Sequence, residues 1–170
     1  GGGFGGRRSS EFESARTPRE IPQDEGVTPT WTNAPAFAQD VFTVVRIKGT
    51  RAGSGRLGRA FPWSTDAPDA DLNLSYRLQQ MTSMRVNPDG LFLHLTEEEL
   101  ADYPFIYMVE PGGLQLSDDE VEALRKYLLN GGMLWLDDFW GDAAWENVEQ
   151  VMKRVFAGRE FVELPLTHRL

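Results

Sequence analysis

Cysteine is absent from the 170 residues. That excludes disulfides, thiolate metal sites and a cysteine nucleophile, and leaves the redox compartment open. Histidine is scarce, with only His94 and His168. Neither lies in a spacing diagnostic of a metal ligand set, so neither a metal nor another cofactor is expected. Positive charge is in deficit: 17 Lys and Arg face 26 Asp and Glu, a net charge of −9. Four of the arginines and five of the acids fall in residues 1–30, so the rest of the chain carries nearly all of that charge. A domain this acidic repels phosphate backbones, and nucleic acid is not an expected partner. No apolar run approaches the length of a membrane span. No GxSxG elbow and no Ser/His/Asp arrangement is visible. The chain opens on Gly1 rather than Met. That predicts a processed or trimmed chain whose signal segment is already gone.

What is present divides in two. Residues 1–30 are Gly-, Arg- and Pro-rich and lack apolar periodicity. They read as a disordered tether that packs little against the domain, so deleting them is expected to leave the thermal midpoint nearly unchanged. Only two arginines follow the first glycines, too few for an RGG-like RNA-binding tail. From about Val41 the pattern becomes α/β. Val41–Lys48 (VFTVVRIK) and Pro104–Glu110 (PFIYMVE) read as strands buried on both faces, and Gly132–Asp137 (GMLWLD) as a third. Gly90–Leu95 and Phe161–Leu166 read as further strands. Helices are predicted from about Asp69 to Met84, with Leu74, Leu78 and Met81 on its stripe and Leu72 and Tyr76 widening it, after Ser117, and over Ala143–Phe156. Ser117 and Glu120 form a capping box, and Asn130-Gly131-Gly132 ends that helix. Strand and helix alternating over short connections predicts a three-layer fold, a mostly parallel sheet flanked by helices.

The candidate chemistry lies at strand ends, where ligands bind in open α/β sheets. Asp137 and Asp138 close the strand Gly132–Asp137. Two adjacent carboxylates in a dry pocket would act as general acid and base, or bind a hard cation; the bland alternative has Asp138 capping the turn before Ala143. Glu110 ends its own strand, followed by Pro111-Gly112-Gly113, and would share a crevice with Asp138 if the two strands are neighbours. Asp66, Asp69, Asp71 and Asn73 cluster near a helix start. Asp69 or Asp71 is most simply an N-cap, and Asn73 is a candidate for facing the pocket. Trp63, Trp135, Phe139, Trp140 and Trp145 surround these acids, either as core or as sugar-stacking surfaces. His168 near the chain end is a further candidate ligand residue. Gly53-Ser54-Gly55-Arg56-Leu57-Gly58 matches GxGxxG, but Arg59-Ala60-Phe61-Pro62 follows where the phosphate mechanism needs a helix, so the match reads as chance.

The run FIYMVEPGGLQLSDDEVEALRKYLLNGGMLWLDDF resembles the class I glutamine amidotransferase-like superfamily: a strand, a capped helix, Gly-Gly, then a second apolar strand with a reactive residue at its end. FTVVRIK, WSTDAPDADLNLSYRLQQMTSMRVNPDG, YPFIYMVEPGGLQLS, LLNGGMLWLDDFWG, WENVEQVMKRVF and ELPLTH together resemble the bacterial family called domain of unknown function 4159, over nearly all of residues 41–168. The resemblance implies a flavodoxin-like or amidotransferase-like domain over residues 31–170, truncated at its C-terminus. It also implies export to the periplasm or outside the cell. It places Asp137 and Asp138 where that superfamily keeps its nucleophile, and supplies no reaction. The expected function is therefore binding of a small molecule, a carbohydrate or a protein partner at the strand-end crevice, without amidotransferase chemistry. Asp138, Asp137 and Glu110 are the catalytic candidates of an alternative hydrolase, sugar-directed or metal-assisted. Trp63, Asp66, Asn73, Trp140 and His168 are the ligand-binding candidates.

Overall fold

The structure is a computed structural model that describes residues 11–24, 26–38, 40–49 and 62–168. The Gly53–Gly58 run and the first ten residues lie outside the described residues. Four parallel strands form one sheet: β1 (Val45–Ile47), β2 (Leu91–Leu93), β3 (Phe105–Val109) and β4 (Met133–Asp137), in the order β2-β1-β3-β4. Among the described residues the three long helices are α1 (Asp69–Met81), α2 (Asp118–Leu129) and α3 (Asp142–Val155). The chain leaves the central strand β1 toward β2, then returns across it to β3 and β4. The switch of direction therefore falls between β1 and β3.

Strand alternation assigns each helix to a face. Val45, Ile47, Ile106 and Met108 point to one side and pack against Val121 and Leu124 of α2 and Val151 and Val155 of α3. The Ser117–Glu120 capping box forms, with the Glu120 amide donating to Ser117 Oγ at 3.2 Å and the Ser117 amide to Glu120 Oε2 at 2.8 Å. The Gly-Gly that ends α2 has two separate causes. Gly131 sits at φ +94°, in the left-handed region, and a Cβ on Gly132 would lie 2.3 Å from the Tyr127 ring.

The opposite face departs from the sequence reading. The expected stripe of α1 is only partly its buried face: Leu72 is buried, but so are Asp71 and Ser75, while Leu74, Tyr76 and Leu78 are half-buried and Met81 is 79% exposed. The tail was expected to pack little, yet its described part is built into this face. Ala15 and Ile21 are buried with Trp63 and Phe92, and Phe12 packs edge-on against Trp63. Arg16 accepts the Phe92 amide on its carbonyl at 2.8 Å, extending past β2. Periodicity misses such a segment because it docks through backbone groups and isolated apolar residues.

β4 is an edge strand among the described elements rather than a central one. Met133 and Trp135 on its α1-side face stay about half exposed. No strand forms over Phe161–Leu166. Glu163 and Pro165 interrupt that apolar run, and Pro165 has no amide to donate. Val162 and Leu166 are exposed, and Phe161 rests on Trp145 with ring centroids 4.9 Å apart.

Candidate functional site

The site is built on the one basic residue inside β1. Val45 and Ile47 point to the apolar core, so Arg46 points to the α1 face, with no exposure at all. A buried guanidinium must be matched in charge and in hydrogen bonds. Asp71 of α1, equally inaccessible, accepts from Arg46 Nε on Oδ1 at 2.9 Å. Arg46 Nη1 donates to the carbonyls of Trp63 at 2.8 Å and Thr65 at 2.9 Å. The Tyr107 hydroxyl, from β3, donates to the same Asp71 Oδ1, and the Arg46 guanidinium carbon lies 4.8 Å from the centre of the Tyr107 ring. Burial works against the Arg46 charge, but Asp71 and Tyr107 beside it outweigh that and hold its pKa above the usual range. Burial, reinforced by Asp71, pushes the Tyr107 hydroxyl well above its usual value. Three atoms of this layer, Arg46 Nη2, Asp71 Oδ2 and Ser75 Oγ, have no hydrogen-bond partner.

Above this layer a cleft of about 530 Å³ opens toward the carboxyl ends of β3 and β4. Arg46 and Tyr107 line its floor, and Val109 its apolar wall. Asp66 and Ala70 flank it on the α1 side, with Asp137, Asp138, Phe139 and Trp140 on the β4 side. Trp140 is 85% exposed, and its indole N–H donates to Asp138 Oδ1 at 3.0 Å. Asp66 and Asp138 both have φ of 56°, and Glu110 has φ of 50°. Non-glycine residues seldom occupy this left-handed region, and such residues gather at functional sites. Here two of the three line the cleft.

The structure brings Asp66, Asp137, Asp138 and Trp140 together around one cleft. Four other candidates lie elsewhere. Trp63 is buried against Phe12 and Phe92. Asn73 faces away from the cleft and accepts from Thr28 Oγ1 at 3.1 Å. β3 and β4 are neighbours, and the Glu110 amide donates to the Asp137 carbonyl at 2.8 Å, but Glu110 is not among the cleft-lining residues. His168 is exposed and also outside the lining. Neither simple reading of two acids holds. Asp71 is the partner of Arg46 rather than an N-cap, and Asp138 accepts from Trp140 while Gly141 stands at the N-cap of α3. Among the described residues no group of three or more His, Asp or Glu is placed to hold a metal. No described helix is long and apolar enough to cross a membrane.

Sequence reading overlooked Arg46 and Tyr107, and saw Asp71 only as a possible helix cap. One signal was available: an arginine inside a strand otherwise read as buried on both faces demands a buried acid somewhere in the chain.

A pH dependence follows from Tyr107. Its pKa in the folded state lies above its ordinary 10.0, so the folded protein retains the proton that the unfolded chain loses. The associated stability is present below about pH 10 and is lost as pH rises from there toward the folded-state pKa. Lys48, whose pKa burial lowers, contributes with the opposite sign. Tyr107→Phe is expected to flatten the alkaline loss, read as the urea midpoint between neutral pH and pH above about 10. An equal alkaline loss in the variant would show that another group causes it.

The architecture and site define a parallel α/β domain with an acid-rimmed cleft at the strand ends, next to the point where strand order reverses. Residues 55–170 match the family described as a domain of unknown function (DUF4159), and the chain belongs to that family. The match includes Asp71, Tyr107, Asp138 and Trp140, whereas Arg46 and β1 lie upstream of it. No curated protein matches the chain.

Proposed function

We propose that the protein is a binding module whose ligand seats in the strand-end cleft. The observation that carries this reading is a cleft of about 530 Å³ whose floor includes the buried Arg46, with an unpartnered donor at Nη2. Small-ligand sites typically span about 300–1,000 Å³, apolar with a few placed polar groups. The strand order and the position of Asp138, at the turn between β4 and α3, support a flavodoxin-like or amidotransferase-like ancestry. The absence of cysteine from the chain supports binding without amidotransferase chemistry. Export to the periplasm or beyond is part of this reading and rests on the resemblance of residues 41–168 alone. A hydrolase using Asp138 with Asp137 or Glu110 has less behind it, because both aspartates are exposed and Glu110 lies outside the cleft lining.

The test is amide NMR of the chain titrated with a mixed set of simple sugars, amines, amino acids and nucleosides. Shifts are expected to cluster at Val109, Asp137 and Phe139 and to disappear in Asp138→Asn, with the fold retained. Shifts confined to a separate groove lined by Met152, Phe156 and Phe161, or no shifts at all, would overturn the reading.

A further inference from the structure

Resting on the reading of the cleft as a binding site, we infer that its ligand is an uncharged, hydroxyl-rich ring, a saccharide. Three features of the lining select that class.

The first is charge. Asp66, Asp137 and Asp138 stand around the cleft, and among the described residues the one basic residue in the lining, Arg46, is already matched by Asp71. An anionic ligand would add negative charge beside three carboxylates without gaining a free cation.

The second is the sense of the hydrogen bonds. Arg46 Nη2 is a buried donor in want of an acceptor. The aspartates around the mouth are exposed acceptors, and Asp138 already takes one bond from Trp140. A hydroxyl both accepts and donates, so one ring carrying several hydroxyls can serve floor and rim together. An ammonium group only donates; it could serve Asp71 Oδ2 and the rim but leaves Nη2 unsatisfied. A zwitterion supplies both senses, but its carboxylate would lie near Asp71, whose charge already balances Arg46.

The third is the aromatic edge. Trp140 is 85% exposed, a large apolar surface held in solvent beside the cleft, and its bond to Asp138 fixes the indole. With Phe139 next to it, Trp140 offers the flat face against which the C–H side of a sugar ring packs while its hydroxyls reach neighbouring carboxylates. The backbone supports the same grouping, because Asp66 and Asp138 are both held in the left-handed region on opposite sides of the opening.

The experiment titrates the chain with glucose, galactose, N-acetylglucosamine and maltose, and separately with putrescine and phenylalanine. It follows the Trp140 indole N–H and the amides of Val109 and Phe139. At least one of the sugars is expected to move these resonances. Trp140→Ala and Asp138→Asn are each expected to weaken that sugar about tenfold or more, equivalent to about 1.4 kcal/mol. Because Trp140 is exposed, its variant keeps the parent's unfolding midpoint and serves as the folded control. Sugar binding that persists unchanged in Trp140→Ala, judged on the Val109 and Phe139 amides, would overturn the inference. Putrescine or phenylalanine moving these resonances while no sugar does would also overturn it, leaving the cleft as a binding site of another class. Silence from every probe would sink both the saccharide and the cleft.

Discussion

Arg46→Met is expected to destabilise the protein by about 3–5 kcal/mol, the range for removing one partner of a buried ion pair. The side chain lengths are similar, so little packing volume changes. What changes is that Asp71, with no exposure, is left charged without its counter-ion. The carbonyls of Trp63 and Thr65 lose their donor as well. Both carbonyls belong to the segment leading into α1, so the loss loosens the entry of that helix and the Asp66 side of the cleft. In urea the midpoint should fall with an unchanged slope, and the thermal midpoint should drop on the order of ten degrees. Asp71→Asn should cost less, because an amide oxygen can still accept from Arg46 Nε and Tyr107 while only the charge is lost. If Arg46→Met stays within about 1 kcal/mol of the parent, comparable to an exposed pair, the pair does not hold α1 to the sheet.

The two faces of the sheet were unequally legible in the sequence. On the face covered by α2 and α3, apolar residues recur at helix and strand periods, and the capping box and Gly-Gly mark the helix ends. Val121, Leu124, Val148, Val151 and Val155 are buried as the pattern predicts. The α1 face is assembled from a buried ion pair, a tyrosine hydroxyl and backbone carbonyls. In a hydrophobicity pattern those residues count as surface, which is why Asp71 reads, with Asp69, as a possible cap and why the stripe centres on Leu74, Leu78 and Met81 instead of on Asp71 and Ser75. The site followed the same division. Asp137, Asp138 and Trp140 were legible because a strand end names its own position in an α/β sheet. Arg46 and Tyr107 were not, because floor residues come from strand interiors, and only the pairing of β1 with β3 (Arg46 opposite Tyr107) brings them together. Glu110 shows the limit of the strand-end rule. Its strand is the neighbour of β4, but the left-handed turn at Glu110 leads directly into Pro111, and its side chain is not part of the cleft.

Deleting residues 1–21 is expected to lower the thermal midpoint by several degrees or more, the reverse of what the composition of the tail suggests. The described part of this segment covers the β2 side of the sheet. Ile21 is 6% exposed and Ala15 3%, and both pack with Trp63 and Phe92. Burying a side chain such as Ile21 contributes about 1.5–3 kcal/mol, and the deletion also uncovers Phe92 and Trp63 in what is left. Lys48 ties the segment down from β1, its ammonium donating to the carbonyls of Glu13 at 2.9 Å and Ala15 at 2.6 Å. Arg19 adds bonds to the carbonyls of Thr28 and Pro88, both at 2.8 Å. Against these stands the entropy of ordering the segment, about 1–2 kcal/mol per fixed residue, which cancels much of the gain. A net loss of about 2–3 kcal/mol would move the midpoint by roughly 4–12 °C in a chain of this size. Lys48→Met separates anchoring from coverage, because it removes the two carbonyl bonds while keeping an apolar stem against Trp63. It is expected to cost about 1.5–3 kcal/mol, the range for a hydrogen-bonded charged group. A deletion that leaves the midpoint unchanged would show that Phe12, Ala15 and Ile21 rest on the sheet without stabilising it.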